Sequence, residues 1–288
     1  MVDHFDVAVV GSLHLDIMTK SPRLPALDET VLGQSWHFKC GGKGGNQAVA
    51  AARAGARTAF VGCVGNDDFG SRLLANLDAA QVDRSRVSIV PMAGSGMSVA
   101  MEDASGNYSA VVVSGANQSI QPSQYENLSV RVLLIQNEIS SLVTLDAARA
   151  CKRDNTFVIY NTAPFLPLSD ELLHNVDLIV ANRVEATDAT GIAIASLSDA
   201  ARAAQALSSY GCNSVVTAGN LGCALCAHRG KPDLIAAVKV KPVSTHGAGD
   251  FFCGVVAARI AQGVELADAV SEANISAARF VSCADGVS

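Results

Sequence analysis

The 288-residue chain lacks the short motifs that most directly name a cofactor. No Gly-x-x-x-x-Gly-Lys-Ser/Thr occurs: Gly41-Gly42-Lys43-Gly44-Gly45-Asn46 has the glycines and the lysine without the spacing or the hydroxyl. No Gly-x-Gly-x-x-Gly follows the first apolar run, which argues against a dinucleotide dehydrogenase. The six histidines form neither His-x-x-x-His nor His-Glu-x-x-His, so no transition-metal enzyme is indicated. Lys and Arg number 21 against 27 Asp and Glu, and they are scattered, so the basic footprint of a nucleic-acid binder is missing. No apolar stretch is long enough to span a bilayer, and Met1-Val2-Asp3-His4-Phe5-Asp6 is acidic where a signal peptide is basic. A cytoplasmic protein that binds neither membrane nor nucleic acid is expected. Internal repeats and low-complexity tracts are absent too.

Hydrophobic residues make up 49% of the chain, ample for a core without an external staple. Eight cysteines, at 40, 63, 151, 212, 223, 226, 253 and 283, lie mostly in apolar segments, as reduced cysteines acting as small hydrophobes do. Cys223-Ala224-Leu225-Cys226 has metal or redox spacing, but with no second pair and no partner histidine it reads as core packing.

Short apolar runs alternate with helical periodicity. Strands are expected at Val7 to Val10, Thr58 to Val61, Val132 to Gln136, Phe157 to Tyr160, Leu178 to Val180 and Ser214 to Thr217. Helices are expected over Gly45 to Ala54, Gly70 to Ala80, Leu142 to Arg153, near Leu172, over Ala200 to Tyr210 and over Phe251 to Ala261. Such alternation predicts an α/β fold: a parallel sheet with right-handed crossovers and helices on both faces. Two patches break the rhythm. Pro22, Pro25 and Gly33 divide Ile17 to Lys39 into short alternating segments, Thr30 to Leu32 and Trp36 to Phe38. Ser98 to Met101 and Ser109 to Val113 flank the turn-rich Asp103 to Asn107 and read as a hairpin. Residues 13–41 and 96–115 are therefore expected to form a discontinuous β lid on a core of 1–12, 42–95 and 116–288.

Ligands of open parallel sheets bind beyond the carboxyl ends of the strands. The polar residues at those ends are Asp16, Gln136-Asn137-Glu138, Asn182 with Glu185, Thr217-Ala218-Gly219-Asn220, and Asp250. In Thr245-His246-Gly247-Ala248-Gly249-Asp250 the glycines allow a close backbone approach, and a helix beginning after them directs free N–H groups and its positive dipole end at an anion. Beside a bound phosphate, Asp250 needs a task of its own, such as accepting a proton from an incoming hydroxyl. Alone, the stretch reads more readily as an ordinary loop with an aspartate cap.

Cys40-Gly41-Gly42-Lys43-Gly44-Gly45-Asn46-Gln47-Ala48 with Val64-Gly65-Asn66-Asp67-Asp68-Phe69-Gly70 resembles the N-terminal signature of the PfkB carbohydrate kinases, and Thr245 to Asp250 resembles their C-terminal one. Within that family the order of Gly11-Ser12, Asp16, Ser114-Gly115-Ala116-Asn117, Asn161-Thr162-Ala163-Pro164 and Asn182-Arg183-Val184-Glu185 is similar to that of the ribokinases. The resemblance runs over nearly the whole chain. It implies a ribokinase-like three-layer α/β/α sandwich with a β-sheet lid, and ATP-dependent phosphorylation of a primary hydroxyl of a small sugar, ribose or a similar pentose. By resemblance, Asp250 is the base, and the amides of Gly247, Ala248 and Gly249 are the anion hole. His14, Asp16, Gly42, Lys43, Asn46 and Glu138 hold the sugar, whose hydroxyls need paired donors and acceptors once buried. Asn182 and Glu185 organise magnesium through its water shell. Thr217, Gly219, Gly222 and Asn274 border the nucleotide, together with Asn182, Gly247 and Gly249. A homodimer clasped through the lids is also implied.

Three features depart from the family pattern. His14 stands where ribokinases carry a sugar-contacting Asn. Ser244 replaces the Asp that opens the second signature, and His246 replaces a small residue or Thr, so the potassium site implied there is weakened or lost. The sequence also ends at Asp285-Gly286-Val287-Ser288, where relatives continue into a terminal helix. Two alternatives stay open: a kinase for a nucleoside of the pseudouridine or adenosine type, given His14, Met97 and Met101, and a sugar-binding homologue without catalysis.

Overall fold

The apolar runs become strands because continuous Val, Ile and Leu stretches can be buried on both faces of a parallel sheet. In the computed structural model, residues 4–283 are described apart from Gly106 and Asp154. Gly106 of the expected Asp103 to Asn107 turn and the chain end from Asp285 to Ser288 lie outside the described residues.

The strands are β1 (Phe5–Val10), β2 (His14–Ser21), β3 (Ser35–Gly41), β4 (Thr58–Gly65), β5 (Asp83–Val90), β6 (Met97–Asp103), β7 (Tyr108–Val113), β8 (Val130–Ile135), β9 (Phe157–Asn161), β10 (Leu178–Asn182), β11 (Asn213–Thr217), β12 (Gly222–Cys226) and β13 (Pro232–Ala236). The helices are α1 (Lys43–Arg53), α2 (Asp68–Ala79), α3 (Ser141–Lys152), α4 (Asp170–Leu173), α5 (Arg183–Thr190), α6 (Leu197–Ser208), α7 (Ala248–Ala261) and α8 (Leu266–Ser282). Among the described residues a nine-stranded sheet runs β13-β12-β11-β10-β9-β8-β1-β4-β5, and a four-stranded one runs β3-β2-β6-β7. The large sheet is parallel from β11 through β5, and β12 pairs antiparallel with both of its neighbours.

Alternating residues of β1 divide the core into two layers. Ala8 and Val10 face a cluster completed by Ala147 and Ala148 of α3 and Ala200, Ala203 and Ala204 of α6. Val7 and Val9 face the opposite cluster, with Ala48 of α1, Leu73 of α2, Val256 of α7 and Ala273 of α8. Each Val or Leu so buried contributes roughly 1.5–3 kcal/mol. The α7 sequence is apolar on every side and buries eight of its residues, so it is the central helix of its layer.

The small sheet projects from the carboxyl ends of the large one. Asp16 on β2 lies opposite Lys39 on β3 and Ser98 on β6, and Ser98 lies opposite Val112 on β7. Two expectations are corrected. Thr30 to Leu32 is irregular chain rather than strand, since no sheet edge reaches its backbone. Helix α7 begins at Ala248, with Gly247 as its N-cap at φ 85°, so Asp250 lies inside the first helical turn instead of before it. No described helix is long and apolar enough to cross a membrane.

Candidate active site

A cavity of about 540 Å³ lies between the two sheets at the carboxyl ends of the parallel strands. It gathers most of the residues singled out from the sequence: His14, Asp16, Gly42, Lys43, Asn46, Glu138, Asn182, Glu185, Thr217, His246, Gly247, Gly249 and Asp250 all line it. Ser98, Val112, Asn161, Thr245 and Cys253 line it as well.

Asp250 sits at the meeting point of α1 and α7. Its Oδ2 accepts a hydrogen bond from Asn46 Nδ2 at 3.0 Å, and its Oδ1 accepts one from Gln47 Nε2 at 3.1 Å. Burial pushes its pKa up to about 6, opposed by the Lys43 charge. Lys43 feels the complementary field: burial pulls its pKa down, and the carboxylates of Asp250, Glu138 and Glu185 more than reverse this, holding it above the ordinary lysine value. The N–H groups of Gly247 and Gly249 have no intramolecular acceptor among the described residues, whereas that of Ala248 donates to Thr245 O at 3.3 Å. A carboxylate able to take a proton near neutrality thus adjoins an ammonium and the positive end of a helix.

At the lid end, Glu138 is the organising group. Its Oε2 accepts from Ser12 Oγ at 2.5 Å and from the Lys43 backbone N at 2.8 Å, while His14 Nδ1 lies 3.7 Å from the same oxygen. Burial holds the His14 pKa below the ordinary histidine value against the pull of Glu138 and Asp16, which favours the neutral imidazole. Asp16 Oδ1 accepts from Ser98 Oγ at 2.5 Å, which fixes the carboxylate at the pocket wall. Gly42 is required where α1 begins: its φ is 84°, and a Cβ there would lie 2.8 Å from both Ser12 O and His14 N. Asn117 shapes the same turn by accepting from Leu13 N at 2.9 Å and donating to Leu13 O at 2.8 Å.

Across the cavity, Asn182 and Glu185 cap α5 reciprocally. Asn182 Oδ1 accepts from Val184 N and Glu185 N, and Glu185 Oε2 accepts from Asn182 N at 2.9 Å. Burial raises the Glu185 pKa, against the Asn182 hydrogen bond and the Lys43 charge. The remaining candidates stand apart from the cavity wall. Gly222 is buried in β12, where a Cβ would lie 2.0 Å from Ile235 O, so β13 accounts for this glycine. Asn274 Nδ2 donates to Ala236 O at 2.9 Å and ties α8 to the end of β13. Gly219 adjoins Arg183. Ser244 lines a second cavity, of about 430 Å³, behind the Gly247 loop; His246 and Gly247 border both.

Gln47 and Asn161 were not singled out from the sequence as site residues, yet both contact the site. A glutamine on the buried, Ala-rich stripe of α1 is the signal that points to it.

Residues 4–287 match the profile of the pfkB family of carbohydrate kinases. The ribokinase of Bacillus subtilis is 35% identical over 281 residues, 96% of this chain and 92% of that one. The deoxyribokinase of Salmonella typhi is 30% identical over 280 residues, 95% and 91% of the two chains. Arabidopsis thaliana ribokinase, solved in complex with ribose and ATP, shares the fold with a TM-score of 0.88 at 27% identity, over 98% of this chain and 94% of that one. Thermotoga maritima ribokinase gives 0.86 at 28% identity, over 99% and 96%. Fold and relatives together define a sugar kinase of ribokinase-like architecture. The chain belongs to the pfkB family of carbohydrate kinases.

Proposed function

We propose that this enzyme transfers the γ-phosphoryl group of ATP to a primary hydroxyl of ribose or a ribose-like pentose. The observation that carries the reading is the Asp250 carboxylate, poised to ionise near neutrality within the first turn of α7 and beside Lys43. In the proposed reaction Asp250 takes the hydroxyl proton and the freed oxygen attacks the γ-phosphorus. The bond from that phosphorus to the ADP bridging oxygen breaks, and the charge leaves on ADP. The amides of Gly247 and Gly249, joined by that of Ala248 once it exchanges Thr245 O for phosphate, stabilise the transferring group. Asp16, Asn46, Glu138, Lys43, Gly42 and His14 are assigned to the sugar, and Thr217 with the Gly219, Gly222 and Asn274 region to the nucleotide.

Among the described residues no group of three or more His, Cys, Asp or Glu would hold a metal directly. One carboxylate with a capping partner suits magnesium, an ion kept largely in its own waters and on nucleotide phosphates. Bound there with ATP, the ion would neutralise phosphate charge; Glu185 and Asn182 would hold its waters. Ser244 and His246 supply no carboxylate where the potassium site is implied, so activation by potassium is expected to be weak. A homodimer through the lid is supported by Val99, Val111 and Val113, exposed on one face of the sheet at 36%, 67% and 50%, next to the free edge of β7.

ADP release measured across ribose, 2-deoxyribose, hexoses and nucleosides, with and without potassium, tests the reading. Turnover with ribose or a near relative supports it. Preference for a nucleoside, or sugar binding without ADP release, replaces it by one of the two alternatives.

A further inference from the structure

The base proposed above is not held by the groups that would touch substrate alone. Gln47, wholly buried on α1, places its Nε2 3.1 Å from Asp250 Oδ1 and 3.0 Å from Asn161 Oδ1. Asn161, at the end of β9, donates its own Nδ2 to Val180 O of β10 at 3.1 Å. A backbone carbonyl only accepts, so it fixes which end of the Asn161 amide faces it. The Asn161 oxygen must then face Gln47, and this fixes the Gln47 nitrogen toward Asn161 and Asp250. Both Gln47 Nε2 hydrogens are thereby committed, one to each partner, and Gln47 Oε1 is left buried without one. The orientation is thus imposed by the acceptors and not by comfort for the oxygen.

The geometry depends on close helix contact. Gly254, one turn beyond Asp250 on α7, lies against α1, where a Cβ would come 2.5 Å from Gln47 O and 2.6 Å from Ala50 Cβ. We infer that Gln47 is a positioning residue, set by Asn161 and the Val180 carbonyl, that aims the Asp250 carboxylate at the acceptor hydroxyl and favours its ionised form. The inference rests on Asp250 being the base. The other groups facing that carboxylate are Lys43 and Asn46 from α1, Cys253 from the next turn of α7 and Glu138 from the segment after β8, while Glu185 of α5 acts on Lys43 and Cys253. None of them contacts the Gln47 amide in the described hydrogen bonds.

The test is the pH profile of kcat/KM for wild type, Gln47→Met, Asn161→Ala, the double variant and Asp250→Asn. Methionine keeps the volume of Gln47 and removes its donor. Losing one hydrogen bond to a carboxylate shifts the acid limb of Gln47→Met upward by about one pH unit. Asn161→Ala, which frees the Gln47 amide to turn its oxygen toward Asp250, shifts the limb the same way. Because Asn161 acts through Gln47, the double variant shifts no further than Gln47→Met. The pH dependence of the melting temperature of each variant reports the same proton without requiring turnover. An acid limb unmoved in Gln47→Met, or additive shifts in the double variant, overturns the inference. If instead Asp250→Asn turns over like wild type, it is the assignment of the base that has failed.

Discussion

Replacing Asp250 by asparagine should lower turnover by about 10²–10⁴-fold while making the protein more stable above neutrality. An unfolded chain releases this proton near the ordinary value of 3.8, and the folded protein releases it near 6. The folded state binds the proton more tightly, so this group's contribution favours folding most at low pH and is lost progressively as pH rises from about 4 to about 6. Roughly two pH units correspond to at most about 3 kcal/mol, an upper bound because Asp250 is half-buried rather than sealed. Asparagine cannot ionise and escapes this cost, but one of the amide donors on Asn46 and Gln47 then faces an NH₂ instead of an oxygen, a loss of about 1 kcal/mol. A net gain of about 2 kcal/mol remains at pH 8, on the order of 3 °C in melting temperature for a chain of this length. By pH 5 about half of the wild-type penalty is already present, so the advantage of the variant should grow by about 1 kcal/mol between pH 5 and pH 8. Thermal unfolding of both proteins across that range measures it. An advantage independent of pH, or a variant less stable than wild type at pH 8, would refute the reasoning.

Other perturbations follow from the same geometry. The wild-type kcat/KM should fall below about pH 6 with the slope of a single proton, because protonated Asp250 cannot accept another; a steady-state pH profile shows it. Gly254→Ala should cost about 1–3 kcal/mol in urea unfolding, since its Cβ meets backbone and Ala50 across the α1–α7 contact. Glu138→Gln should raise the sugar KM about tenfold or more with a smaller effect on the ATP KM, because Glu138 gathers Ser12, Lys43 and His14 at the lid end. Val111→Asp should give a monomer by light scattering if the exposed lid face is the dimer contact.

The central strands were legible because runs such as Val7 to Val10 and Val132 to Ile135 are apolar without interruption, as burial on both faces demands. The edges were not. β5, Asp83–Val90, carries Arg84 and Arg86 and is partly solvated, so no such run marks it. At the far edge β12 runs against both of its neighbours, and Cys223 to Cys226, whose sequence reads only as core packing, is a strand because β11 and β13 pair with it. Within the site, residues at strand ends could be collected from the rule that ligands bind there, and the family signatures ordered them. What one-dimensional reading misses is orientation. The contact of Gln47 with Asp250 joins residues 203 positions apart, and the Asn182 and Glu185 pair caps its own helix through bonds that spacing alone leaves ambiguous with ligand binding. The start of α7 is hidden in the sequence because Gly247 and Gly249 are poor helix formers on either side of Ala248, yet the αL conformation of Gly247 lets the helix begin immediately after it.

Asp250 is proposed as the base in phosphorylation of a pentose. The most direct measurement is ³¹P NMR of a ribose and MgATP mixture with wild type and with Asp250→Asn, paired with calorimetric binding of sugar to each. Wild type should form a sugar phosphate monoester and ADP. The variant should form them about 10²–10⁴-fold more slowly, at nearly unchanged sugar affinity. A variant that forms the monoester at the wild-type rate would remove Asp250 as the base, and a wild type that binds sugar and never forms the monoester would remove the kinase activity.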